Sequence, residues 1–220
     1  MPMSDSRPRH RGRAGRALGW VAVVGVLGGS AVLVAALALS LVLNGSSMEP
    51  TLNNGDRVLL DPRGGIDDVE RFDVVNARVG PGRVSVVKRV IALPGDQVAV
   101  RPATDDREVA VWVRRTGSAP WQRVVNDAWQ PAASTRPCCT KEGSASEQVR
   151  AATVPDGHVF VLGDNLAHSD DSRAFGWVPA DRLGGVFVLR LYPFDDLGRL
   201  PGSPHLEAAH DPPLGQGSAS

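Results

Sequence analysis

From Ala17 to Met48 the sequence carries no charged residue, and Leu, Val and Ala dominate the run as far as Leu43. A helix needs about 20 such residues to cross the hydrocarbon of a bilayer, so a transmembrane helix is predicted over 17–43. Arg7, Arg9, Arg11, Arg13 and Arg16 precede the run against a single acid, Asp5. Basic residues beside a first span stay in the cytoplasm. The expected layout is a cytoplasmic basic tail over 1–16, one pass through the cytoplasmic membrane, and an extracytoplasmic domain over 44–200. The competing reading is a cleavable signal sequence cut after Ala36-Leu37-Ala38. The apolar part of such a sequence spans only about 7 to 15 residues, and here Leu39 to Leu43 continue the run past that cut. Gly25, Gly28 and Gly29 would suit helix packing, but they support no oligomer, and a monomer is expected.

Charge narrows the partners. Of the 24 Lys and Arg, five lie before the apolar run against one of the 24 Asp and Glu, leaving 19 bases against 23 acids after Arg16. A net acidic domain lacks the electrostatic drive for nucleic acid, so no nucleic-acid partner is expected; membrane lipid is. At 220 residues the chain has room for one sizeable domain beside the span. Valine-rich stretches punctuated by Gly, Pro and Asp predict strands at Arg57–Leu60, Asp73–Val79, Arg83–Leu93, Gln97–Val100, Val109–Arg114, His158–Leu162 and Gly185–Leu191. The fold class is therefore mainly β, a coiled or barrel-like set of antiparallel sheets. Residues of about 101–153 shift to Pro, Ser, Thr and charge and read as an inserted flap with loops. Pro201 to Ser220 offers little to bury and reads as disordered. Cys138 and Cys139 are adjacent and alone, too few for a zinc site; free thiols or a vicinal disulfide both fit, with no functional role.

Three segments carry candidate chemistry. Gly45-Ser46-Ser47-Met48-Glu49-Pro50-Thr51 places a hydroxyl in a Pro-containing turn where the apolar run ends. A serine becomes a nucleophile only with a base to take its proton and N–H groups to hold the oxyanion. In Val84 to Leu93, strand alternation puts Val86, Lys88, Val90 and Ala92 on one face, so Lys88 points among apolar side chains. Desolvation there would lower its pKa from about 10.4 and make it a usable base. Arg89, on the other face, is the expected solvated charge. Gly163 to Arg173 forms a polar loop after the apolar strand Val159–Leu162. In it Ser169 could hydrogen-bond a neutral lysine, and Asp171 with Arg173 could form a clamp. Two alternatives stay open there: a cation site from Asp164, His168, Asp170 and Asp171, whose spacing does not fit an EF-hand, and a Ser/His arrangement through His168. No metal or cofactor is expected.

Taken together, these segments resemble bacterial type I signal peptidase, the leader peptidase that cuts signal peptides from exported proteins. Ser47-Met48-Glu49-Pro50-Thr51 is similar to its nucleophile box, Val87 to Asp96 to its lysine box, and Gly163 to Arg173 to its Gly-Asp-Asn box. The resemblance covers roughly Leu18 to Tyr192, without most of the flap. It implies a membrane-bound serine endopeptidase that removes N-terminal signal peptides from secreted preproteins after small residues of A-x-A type. Ser47 would attack, Lys88 would act as base and then acid, and Ser169, Asp171 and Arg173 would support them. Met48, Leu52, Val86 and Val87 would line the substrate pockets. Some members carry a serine two residues before the nucleophile as a second oxyanion donor; this chain has Gly45, which leaves that donor unassigned. A second departure is Phe72-Asp73, where the family often has Gly-Asp. A narrower processing peptidase of the same kind is the alternative.

Overall fold

The computed structural model describes residues 12–62, 68–103, 108–117, 120–129, 137–198, 204–210, 212 and 214. Arg7, Arg9 and Arg11 of the basic tail, and the expectation of disorder over 215–220, lie outside the described residues. Two units are present, an N-terminal helix and a β domain from Ser40 onward. Helix α1 covers Gly12–Ala38. Its segment Gly19–Ala38, 20 residues with no buried side chain, is long and apolar enough to cross a membrane, spanning about 30 Å at 1.5 Å per residue.

The helix stops five residues before the predicted Leu43. Ser40–Val42 is instead strand β1, paired antiparallel with β2 (Arg57–Asp61) in the register Ser40↔Leu59 and Val42↔Arg57. A spanning helix and a core strand both demand apolar side chains, so composition alone does not separate them. Backbone pairing and the burial of Leu43 against Met48, Leu52 and Val58 decide the matter.

The remaining elements are β3 (Val74–Val79), β4 (Val84–Ala92), β5 (Gln97–Arg101), β6 (Ala110–Arg114), β7 (Gln122–Val125), β8 (Ala152–Thr153), β9 (His158–Leu162), α2 (Ser172–Phe175), β10 (Val178–Pro179), β11 (Leu183–Tyr192) and β12 (His205–Ala208), with short 3-10 turns at Ala180–Arg182 and Phe194–Asp196. A seven-stranded antiparallel sheet runs β1-β2-β11-β3-β4-β9-β10, and a five-stranded one runs β12-β7-β6-β5-β8. The mainly β, antiparallel architecture is as the valine patterning predicts.

Strand β9 shows why its sequence is apolar throughout. Val159 and Val161 pack with Val75, Ala77 and Val90, whereas Phe160 and Leu162 enter the core shared with Val98, Val111 and Val113 of the second sheet. A strand buried on both faces has no room for polar alternation. Strand β4 behaves likewise, with a bulge: its pairing with β9 shifts between Val90 and Ala92. Val86 and Val90 therefore lie with Val75, while Ala92 joins Ile91 in the inter-sheet core. The expected single face containing Val86, Lys88, Val90 and Ala92 thus ends at Val90, since a bulge resets the alternation.

Within the flap, β6, β7 and β8 belong to the five-stranded layer between longer loop segments, and Trp112 and Trp121 are buried against Ala99 and Ala110. The tail is also corrected: His205–Ala208 pairs along the whole of β7. An edge strand is held by backbone hydrogen bonds, and Leu206 alone packs on the core, so a polar sequence suffices. Cys138 and Cys139 form a vicinal disulfide, both residues buried.

Candidate active site

The nucleophile candidate sits on a loop whose ends are tied together. Leu43 N donates to Asp56 O at 2.8 Å and Gly55 N to Leu43 O at 2.9 Å. Inside the loop, Glu49 N bonds to Ser46 O and Leu52 N to Met48 O. Met48 and Leu52 are driven into the core formed with Leu43, Val58, Val74 and Val87. Gly45 enters the turn at φ +117°, its N–H held by Asn54 Oδ1 at 2.9 Å. Few L-residues adopt that φ, so glycine is required here by backbone geometry.

Lys88 comes from the centre of β4. It stands opposite Val75 of β3, and Val86 stands opposite Ala77, so cross-strand pairing and alternation surround it with valines. Only 2% of its surface is exposed, and its Nζ lies 2.6 Å from Ser47 Oγ. Burial pushes the amine's pKa below the ordinary lysine value. Asp171 and then Asp170 oppose that shift, and Arg173 adds to it.

The polar loop after β9 locks this pair in place. Asn165 N donates to Ser47 O at 3.0 Å, and its side-chain amide to Ser46 O at 3.1 Å. Gly163 lies so close to the Ser47 carbonyl and to Ser169 that a Cβ there would overlap both. Gly163 N donates to Asp171 Oδ2 at 3.1 Å. Asp171 caps α2 through Arg173 N and receives Arg173 Nε at 2.8 Å and Nη2 at 2.7 Å. The anticipated Asp171–Arg173 clamp is thus present and buried. Ser169 is placed beside Gly163, but its buried Oγ has no hydrogen-bond partner and makes no bond to Lys88. Met48, Leu52, Val86 and Val87 line one cleft of about 190 Å³ together with Ser47 and Lys88.

Several residues escaped the sequence reading. Arg89 is not solvated: it is 3% exposed, because β4 has buried neighbours on both sides. Its Nε and Nη2 engage both oxygens of Asp164 at 2.9 and 2.6 Å, and Nη1 reaches Phe72 O. Asn126 Nδ2 and Trp129 Nε1 complete the shell of Asp164 from the turn after β7. A fork facing a carboxylate in two parallel bonds is the strongest ionic geometry available. Of the open cation reading, Asp164 and Asp171 are therefore occupied by arginines, while His168 is exposed with Nδ1 turned to Asn165 Oδ1 at 3.3 Å. Arg190 of β11 also went unnoticed. Buried at 2%, it bonds the Thr51 carbonyl and pairs with Asp56 and Asp196, bracing the serine loop from below. A charged residue inside an apolar strand pattern was the available signal.

The family model described as "Signal peptidase, peptidase S26" matches residues 17–192, spanning the helix and all the elements that build the cleft. The chain belongs to the peptidase S26 family of signal peptidases. Signal peptidase I of Bacillus caldolyticus is 31% identical over 154 residues, covering 70% of this chain and 79% of that protein. Mitochondrial inner membrane protease subunit 1 of Schizosaccharomyces pombe is 29% identical over 158 residues, covering 68% and 71%. A crystal structure of a signal peptidase I from Enterococcus faecalis V583 matches at 28% identity and a TM-score of 0.38, over 54% of this chain and 95% of that one. This S26 peptidase is thus an enzyme of the type I class, a serine peptidase that removes signal peptides. Its apolar N-terminal helix fits a membrane anchor.

Proposed function

We propose that this peptidase cleaves with a Ser47/Lys88 dyad and selects substrates with small residues at the first and third positions before the cut. Neutral Lys88 accepts the Ser47 proton as Oγ attacks the scissile carbonyl, and the resulting ammonium then protonates the departing amine. The Ser47 N–H serves the oxyanion. Asp171 and Arg173 support the base indirectly, by holding Gly163 against the serine loop, and Ser169 Oγ is left to meet the amine as the reaction proceeds. The observation that carries this reading is the 2.6 Å approach of a dry lysine amine to Ser47 Oγ.

Specificity follows from space. A cleft of about 190 Å³ closed by Met48, Leu52, Val86 and Val87 is smaller than most small-molecule pockets, which favours alanine over larger side chains. Residues 84–88 of β4 pair with β3, whereas the β9 pairing begins at Arg89. The other edge of that segment is thus available for an extended substrate to add as a strand. In this reading the basic N-terminus is cytoplasmic and the β domain extracytoplasmic, by the positive-inside rule. Mapping the products of a model preprotein tests the proposal: wild-type enzyme in detergent should cut after an A-x-A sequence, and Ser47→Ala and Lys88→Ala should not cut. Turnover retained by either purified variant would refute it.

A further inference from the structure

A second cleft, of about 350 Å³, opens where the β3–β4 hairpin tip meets the end of α2. Arg78, Arg83 and Arg182 line it with Phe175 and Trp177, and no carboxylate does. None of the three guanidinium groups has an ion-pair partner among the described residues. The contrast with Arg71, Arg89, Arg173 and Arg190, each paired with an Asp, is direct. Asp181 neighbours Arg182 in sequence but does not line the cleft. Arg83 also adopts φ +48° at the end of the turn from Gly80, whose carbonyl its N–H contacts at 3.2 Å. Glycine or asparagine would occupy such a position more easily, and a bulky residue at positive φ points to a use for its side chain.

Three unneutralised forks around one concavity suit an oxygen-rich anion, phosphate above all. The rim is apolar: Pro81 and Phe175 line it, both exposed, Phe175 by 40%. A soluble anion gains nothing from such a rim, whereas a phospholipid presents a phosphate beside hydrocarbon. The domain that bears the cleft also follows an apolar helix in the chain, separated from Ala38 by Leu39 alone. We propose that the Arg78/Arg83/Arg182 cleft binds the phosphate of an anionic phospholipid headgroup. Arg83 lies two residues before Ser85, which lines the catalytic cleft, so an occupied site fixes the start of the strand edge along which a substrate would lie.

The test compares the full chain with its Arg78→Gln/Arg83→Gln/Arg182→Gln variant by non-denaturing mass spectrometry in detergent, titrating phosphatidylglycerol and, in parallel, phosphatidylcholine. The variant should lose one phosphatidylglycerol-binding event, weakened roughly a hundredfold if each arginine contributes about fivefold near a lipid surface, with phosphatidylcholine binding unchanged. Arg83→Glu alone, at an exposed turn, should reproduce most of the loss, and both variants should cleave a soluble signal-peptide substrate in detergent within about twofold of wild type. Equal phosphatidylglycerol retention by wild type and variants would overturn the proposal. So would displacement of the lipid by inorganic phosphate or by an acidic peptide at comparable concentration, since the site would then serve a soluble anion.

Discussion

Asn165 holds Ser47 by the backbone: its N–H donates to the Ser47 carbonyl at 3.0 Å while its side-chain amide takes the preceding carbonyl, that of Ser46, at 3.1 Å. The loop after β9 therefore fixes where Oγ can go relative to a lysine on another strand. Misplacement of reacting groups by about 1 Å costs on the order of 100-fold. Asn165→Ala keeps the N–H bond to Ser47 but frees the Ser46 carbonyl, and should lower kcat of preprotein cleavage by up to about that factor with little change in KM or melting temperature. Steady-state kinetics and thermal unfolding check the split.

The Arg89–Asp164 pair ties the lysine strand to the same loop and, through Asn126 and Trp129, to the turn after β7. Removing one partner strands a buried charge, at a cost of about 3–5 kcal/mol. Arg89→Met or Asp164→Leu should each destabilise the enzyme by that much in urea unfolding, and the double variant by less than the sum of the two. Additive losses would show that the two side chains do not depend on one another.

Gly45 argues against a simple repair of the oxyanion hole. Its φ of +117° is strained for any L-residue even though open space surrounds its would-be Cβ. Gly45→Ser is therefore expected to lower kcat/KM by about tenfold instead of raising it, in line with the 1–3 kcal/mol typical of such backbone strain. Higher activity would mean that the turn relaxes and that a hydroxyl donor is accepted there.

Lys88 makes stability depend on pH. Its folded pKa lies below its unfolded one because burial disfavours the ammonium. Between the two values the unfolded chain binds more protons, so this contribution grows as pH rises through that window and is lost as pH falls to the folded pKa. Lys88→Met, similar in shape and free of that cost, should be at least as stable as wild type at neutral pH. It should also lack wild type's gain toward alkaline pH, as denaturant melts over a pH series would show.

How much could be read beforehand depended on what each residue needed. The long strands announce themselves because β4 and β9 must be apolar to be buried, and the Ser47, Lys88 and Asp171–Arg173 segments stand out because polar groups interrupt that pattern. The strand Ser40–Val42 was hidden inside the membrane-like run, since lipid and core select the same side chains. The strand His205–Ala208 is held by its backbone and leaves no side-chain signature. Arg89 was misplaced because alternation tells which residues share a face, but not that both faces of β4 are covered. Its partner Asp164 lies 75 positions away, and only the fold brings them together.

Whether Lys88 is uncharged when it works can be read by titrating its amine in the intact enzyme by NMR, with isotopically labelled lysine and a Lys88→Met spectrum for assignment. A neutral Lys88 base requires one lysine titrating well below the ordinary value, with a midpoint matching the pH at which kcat/KM rises to half its maximum. A Lys88 midpoint near the ordinary value of about 10.4, with full activity at neutral pH, would contradict it.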